Sequence, residues 1–306
     1  RRKRGIMHHS SHQKAHFTVP FPCMLSAWIA VAAWCVSAGV PAVSSAAYNA
    51  DTDKLSITFS ESVQYDAITF TAIALSDDDG TSEVTLDGGA SVDEGSDGVT
   101  MTVNVSSTKA IAVEQLTGRA ASLELELAAG AFLSTATSEG NTALAYTDNQ
   151  SVTYTADATA PTVSSAAYDA DADELTITFS EAVQYDDITF TGIGLSGDNG
   201  GTERQLTGGS VSESDDGVTM TITVVSADAI AIEQLSGRAA SLELQLSAGA
   251  FKNQDNTNIS ALGYGDNQSV SYTADATAPT VSSAAYDADA DELTITFSEA
   301  VQYDDI

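Results

Sequence analysis

Residues 161–188, PTVSSAAYDADADELTITFSEAVQYDDI, occur again without a change at residues 279–306. A close variant, PAVSSAAYNADTDKLSITFSESVQYDAI, begins at Pro41. The chain is a tandem array whose copies start at Pro41, Pro161 and Pro279, a period of 120 and then 118 residues. A self-similar period settles the architecture before any local reading, because each copy must be one structural unit. It weighs against a single-site enzyme, since an active site needs one constellation and an array offers every feature several times. The third copy covers only the opening of a repeat, and the array is expected to continue.

Inside the repeated string, Leu175, Ile177 and Phe179 alternate with Thr176, Thr178 and Ser180, the pattern of a half-buried strand. Val163–Tyr168 reads as a shorter strand before it, with DADAD at Asp169–Asp173 as the turn. Further along the repeat, Ile188–Leu195 reads as a third strand, closed by the turn Gly197–Gly201. Arg204–Val211 and Val218–Val225 are expected to pair around Ser214–Gly217. Ser226–Leu235 is the one helical stretch, with Ser226 as its cap and Ile230, Ile232 and Leu235 toward the core. Gly237 ends it. Leu242, Leu244 and Leu246 mark the next strand, and Gln268–Thr273 the last. Seven short strands and one short helix per repeat fit an all-β fold, a Greek-key β-sandwich. A jelly roll or a β-solenoid is the alternative, the solenoid weakened by the length of the repeat.

The strings APTVSSAAYDADADELTITFSEAV, at Ala160–Val183, and LSAGAFKNQDNTNIS, at Leu246–Ser260, resemble bacterial immunoglobulin-like tandem repeats. Such repeats belong to surface-layer proteins, secreted adhesins and cell-surface motility proteins. The resemblance covers Pro41 to the end. It implies tandem immunoglobulin-like sandwiches serving as a stalk or surface array, and it brings no catalytic residues.

Composition divides the chain at residue 38. All four His, both Cys and both Trp lie before residue 36, with five of the 11 basic residues and no acidic ones. From Gly39 onward six basic residues stand against 43 acidic ones, a net charge of −37. That surface repels nucleic acid and anionic lipid and attracts divalent cations. The basic lead and the 20-residue apolar run Phe21–Val40 read as a signal peptide ending at Val36-Ser37-Ala38, or as an uncleaved signal anchor. Either reading places the repeats outside the cytoplasm, extracellular or at the cell surface. Membrane attachment is expected only through an uncleaved anchor. The expected domains are 1–38 (signal segment), 39–160 and 161–278 (repeats 1 and 2), and 279–306 (incomplete repeat 3). Without cysteine, no disulfide can hold the repeats in an oxidising compartment.

The chemistry lies in acidic turns. Asp171-x-Asp173-Glu174 has the alternate carboxylate spacing of calcium loops, since hard cations take several oxygens at once. In a sandwich the first turn lies at the end from which the last strand leaves. Asp171, Asp173 and the linker residue Asp275 are therefore expected to face Glu299 and Asp304 of the next copy. At the first junction the set is Asp51, Asp53, Asp157, Glu181 and Asp186. Calcium at these junctions is the expected cofactor; the plain alternative is solvated turn carboxylates. Asp215 and Asp216 are expected at the far end of the sandwich, away from that cluster. No His or Cys stands in the repeats, which removes the usual bases and thiol nucleophiles. Tyr48, Tyr168, Tyr185 and Tyr264 are expected to pack at sandwich edges rather than bind sugar. The sequence therefore points to a non-enzymatic adhesin stalk or spacer. Its partners are the adjacent repeats, with surface glycans or cell-surface proteins as further partners, and no nucleic acid. A carbohydrate-binding module, or the repeat region of a larger exported enzyme, is the rival.

Overall fold

Alternating side chains build a large sheet in each repeat, and the turns decide which strands reach it. The computed structural model describes residues 39–306 apart from 78, 79, 81, 149, 267, 300 and 302–306. The signal segment and Asp304 lie outside the described residues, and so do the expectations placed on them.

Repeat 1 runs β1 (Val43–Asn49), β2 (Lys54–Val63), β3 (Ile73–Asp77), β4 (Ser82–Thr85), β5 (Ser91–Val92), β6 (Gly98–Asn104), α1 (Ser107–Glu114), α2 (Arg119–Ser122), β7 (Glu124–Leu127) and β8 (Val152–Thr155). Repeat 2 copies it as β9 (Val163–Asp169), β10 (Glu174–Val183), β11 (Ile193–Ser196), β12 (Glu203–Gln205), β13 (Gly209–Val211), β14 (Gly217–Val224), α3 (Ser226–Glu233), α4 (Arg238–Ser241), β15 (Glu243–Leu246) and β16 (Val270–Thr273). The described part of the third repeat is the hairpin β17 (Val281–Asp287) and β18 (Glu292–Phe297).

Each complete repeat has one sheet in the order β5-β6-β2-β1-β8 and a facing sheet β4-β3-β7, repeated as β13-β14-β10-β9-β16 and β12-β11-β15. Second strand beside sixth in one sheet, and third beside seventh in the other, is the Greek-key interlock of an immunoglobulin-like sandwich. The last strand joins the two layers: β8 runs parallel to β1, and Ser151, just before it, bridges to Glu124 of β7. The fold is thus all-β, tandem immunoglobulin-like sandwiches with a few short helices.

The core of repeat 2 lies where the alternation points. Leu175, Ile177, Phe179, Met220 and Ile222 of the large sheet meet Ile193, Leu195, Leu244 and Leu246 of the small one. Phe179 and Phe251 seal it with ring centroids 4.7 Å apart. Repeat 1 has its own equivalent cluster. Burial of each such side chain is worth about 1.5–3 kcal/mol.

Three local expectations are corrected. Arg204–Val211 is not one strand: β12 pairs with β11 in the small sheet, while β13 pairs with β14 in the large one. The run breaks at Leu206–Gly208, where Leu206 plugs the core and the chain crosses between layers. The helical stretch forms as α3 and ends before Gly237 as expected, and a second short helix, α4, follows it. Gly237, with φ +82°, turns the chain between α3 and α4. Ile232 and Leu235 face inward as expected, with Ala229, while Ile230 faces out, and the cap position is Val225 rather than Ser226. Asp228 holds the helix instead, fully buried, accepting from Arg204 and from the N–H and Oγ1 of Thr207 at 2.6 and 2.9 Å.

Candidate functional site

The β1–β2 turn places Asp53 in the left-handed region at φ 55°, and the equivalent turn of repeat 2 does the same with Asp173 at φ 57°. Asp tolerates that conformation because its short side chain bonds locally. The turn lifts Asp51 toward the linker. Its Oδ1 accepts from the N–H groups of Ala158 and Thr159 and from Thr159 Oγ1, each at 3.0 Å. The linker between the repeats is thereby tied to the body of repeat 1.

Above this turn lies a cavity of about 340 Å³ between the repeats. Asp51, Asp53 and Glu114 of repeat 1, Asp157 of the linker and Glu181 of repeat 2 all line it, and no Lys or Arg does. Burial first, then the charges of Asp53 and Asp255, push Glu114 up to about 8. Burial also raises Asp53, Asp157 and Glu181. Asp51 moves the other way, to about 2, because the Asp157 carboxyl donates to it and the Thr159 and Ala158 groups reinforce its charge. One carboxylate is held ionised among carboxyls that resist ionisation.

The second junction repeats the arrangement. Asp171 Oδ1 accepts from Ala276 and Thr277 N–H at 3.0 Å each. Asp171, Asp173, Glu233, Asp275 and Glu299 line a cavity of about 540 Å³. The structure thus brings together four of the five residues named at the first junction and four at the second. Asp186 lies apart, in a neighbouring groove with Gln115 and Arg119. Asp304 is outside the described residues.

The donor set is hard oxygen throughout, which suits calcium or magnesium in kind. Glu181 Oε1 and Glu299 Oε1 are buried without a hydrogen-bond partner, one at each junction. Among the described residues no three carboxylates are already gathered at metal-binding spacing. A cation would draw the side chains together rather than enter a finished cage.

A direct contact between the repeats lies beside the cavity. Arg119, at the start of α2, stacks with its Cζ 5.6 Å from the Tyr154 ring centroid. Its Nη2 donates to Asp255 Oδ1 at 2.8 Å and to the Gln254 carbonyl at 2.7 Å. Asp255 Oδ2 accepts from Tyr154 Oη and from the Asp157 N–H, at 2.8 and 2.6 Å. Both charges are largely buried, with 15% and 8% of their side chains exposed. Asn253 Nδ2 donates to the Thr159 carbonyl at 3.2 Å and Thr257 Oγ1 to the Asp157 carbonyl at 2.9 Å. Gln115 Nε2 donates to Asp215 and Asp216 at 2.8 and 3.0 Å. These two aspartates therefore belong to the first junction, contrary to the expectation from sequence. The β13–β14 turn points back at repeat 1 because it lies at the end of the sandwich opposite the β9–β10 turn.

Sequence reasoning missed Glu114, Arg119, Tyr154 and Asp255. Glu114 had a signal: with Ala110 and Val113 it completes the i, i+3, i+4 inner face of α1, where a carboxylate is out of place. Arg119 had another, since GRAAS recurs at Gly118–Ser122 and Gly237–Ser241 in a region with six basic residues. Tyr48 and Tyr168 are fully buried core residues, not edge residues.

No protein-family model and no curated protein matches the chain. Among solved structures, a chimeric titin Z1Z2 carrying a decorin peptide is similar at 8% identity and a TM-score of 0.18, over 68% of this chain and 89% of that one. The titin I9–I11 tandem is similar at 11% identity and a TM-score of 0.19, over 76% and 66%. At such scores the fold assignment rests on the strand order alone.

Proposed function

We propose that this chain is a non-enzymatic spacer, the stalk region of a cell-surface or secreted adhesin, in which immunoglobulin-like repeats are held in series by built joints. The observation that carries this reading is the first joint. The Arg119–Tyr154–Asp255 contact and the Asp51-bound linker fix one sandwich against the next through partly buried polar groups. Display outside the cytoplasm is part of the proposal and rests on the apolar run Phe21–Val40 following a basic lead. Surface glycans and cell-surface proteins would be partners of the assembled stalk rather than of these cavities.

Calcium is the second part of the proposal. Asp51, Asp53, Glu114, Asp157 and Glu181 would supply its oxygens at the first joint, and Asp171, Asp173, Glu233, Asp275 and Glu299 at the second. When bound it would neutralise carboxylates that otherwise repel across the joint.

The test is a distance distribution between spin labels on repeats 1 and 2. A narrow peak is expected, broadened by Arg119→Ala and by Asp255→Ala, with the double variant no worse than either single one. A peak already broad in the parent chain would mean that the repeats are beads on a loose string.

A further inference from the structure

The trailing end of repeat 2 reproduces the half of the joint that repeat 1 contributes. Arg238 Nε donates to Tyr272 Oη at 3.2 Å and its Nη1 to the Leu235 carbonyl at 3.2 Å. Its Cζ lies 5.7 Å from the Tyr272 ring centroid. Arg119 makes the same contacts to Tyr154 and Leu116 at 3.1 Å each. Among the described residues no carboxylate lies within ion-pair distance of Arg238, whose charge reaches Glu233 only from farther off, whereas Arg119 pairs with Asp255. The linker leaves both repeats in the same way, bound by Asp51 in one and Asp171 in the other.

The leading ends differ. In repeat 2 the Asn253 N–H closes on the Thr257 carbonyl around Gln254, Asp255 and Asn256. In repeat 1 the Ser134 N–H closes on the Glu139 carbonyl around Thr135, Ala136, Thr137 and Ser138. The enclosed loop of repeat 1 has no carboxylate to give to an arginine.

We infer that the Arg238–Tyr272 face is a docking socket for the leading loop of a following domain of the same type, one that carries aspartate where repeat 2 has Asp255. Repeat 1 cannot be such a follower. The contact is a one-way code: an Arg-on-Tyr socket at the trailing end and an Asn-x-Asp loop at the leading end. The follower is joined in the same chain, because in a second copy Asp255 is held by its own Arg119 and repeat 1 offers no aspartate. This inference rests on the serial reading of the repeats.

Residues 279–306 duplicate 161–188, so a copy of residues 189–278 added after Ile306 completes a third repeat identical to the second. Spin labels on repeat 2 and on that third repeat should give a peak as narrow as the one at the first joint. Arg238→Ala, or Asn in place of the added copy of Asp255, should broaden it. Exchanging the two charges should restore it. A chain completed instead with residues 69–160, from repeat 1, should give a broad distribution even though the added domain shows its own cooperative melting. Three results would overturn the inference: a broad second joint beside a narrow first one, a narrow joint indifferent to Arg238→Ala, or equally tight docking of the repeat 1 body. Concentration-dependent growth in scattering mass that Arg238→Ala abolishes would transfer the socket to a second copy and overturn the same-chain assignment. A broad first joint would instead remove the serial reading itself.

Discussion

Leu175 of β10 is fully buried, whereas Val218 of the neighbouring strand β14 is 43% exposed. Leu175→Ala should therefore cost about 2–5 kcal/mol, while Val218→Ala should cost close to nothing. Denaturant unfolding of the chain measures both, and equal effects would refute the core assignment. Glu114 makes a second residue-scale prediction. Its folded value of about 8 lies above the ordinary 4.5, so the folded joint binds the extra proton. The stabilisation is complete below about pH 4.5 and is lost as pH rises through about 8, because the unfolded form gives up its proton first. The label-to-label peak at the first joint should thus broaden between pH 5 and 9. Glu114→Gln should flatten that response, and an unchanged profile in the variant would remove Glu114 from the cluster.

At the scale of elements, α3 and the β12–β13 crossing depend on one another through Asp228. An eight-residue helix has little stability of its own. Ala229 and Ile232 supply its apolar anchor, and Asp228 ties its first turn to Thr207 and Arg204. Asp228→Ala would leave the Thr207 N–H without its acceptor and Arg204 without its partner. The expected loss is about 1–3 kcal/mol, since Arg204 is partly solvated. Asp228→Asn should recover part of it. Hydrogen exchange should show the loss concentrated in α3 and β12; uniform exchange through repeat 2 would count against this local role.

The whole molecule carries net charge −37 beyond residue 38, and its repeats meet through carboxylates. Calcium bound only by the aligned pair should raise the melting temperature by mass action and narrow the range of interdomain angles. Scattering and calorimetry on a chain from Gly39 to Ala278, with calcium and with chelator at matched ionic strength, would show it. Asp51→Asn with Asp157→Asn should abolish the response. Glu83→Gln, on the small sheet away from the joint, should keep it. Asp215 and Asp216 cannot serve as a neutral control, because they accept from Gln115 across the same joint. A response no larger than that of matched monovalent salt would leave the carboxylates as solvated turn residues.

Much of the sandwich was legible in residue order. Alternation in Glu174–Ser180 marked the strand and its inward face, and the acidic turns marked the end that meets the next repeat. Those features are local, since they follow from the two-residue period of a strand and from turn chemistry. The same string folds into the same hairpin twice, with Asp173 and Asp291 both near φ 57°. Not legible was how deep its tyrosine lies: Tyr168 is fully enclosed in the core rather than packed at an edge. Nor was the break in Arg204–Val211, where two halves of one extended run join different sheets. The sequence by itself determined the repeat, the strands, the charge and the residues offered to each joint. Only the tertiary structure decided that Glu114 joins the carboxylates and that Arg119 reaches Asp255, 136 residues away along the chain. Such pairings depend on how two separately packed sandwiches meet, and a short window of sequence carries no trace of that geometry.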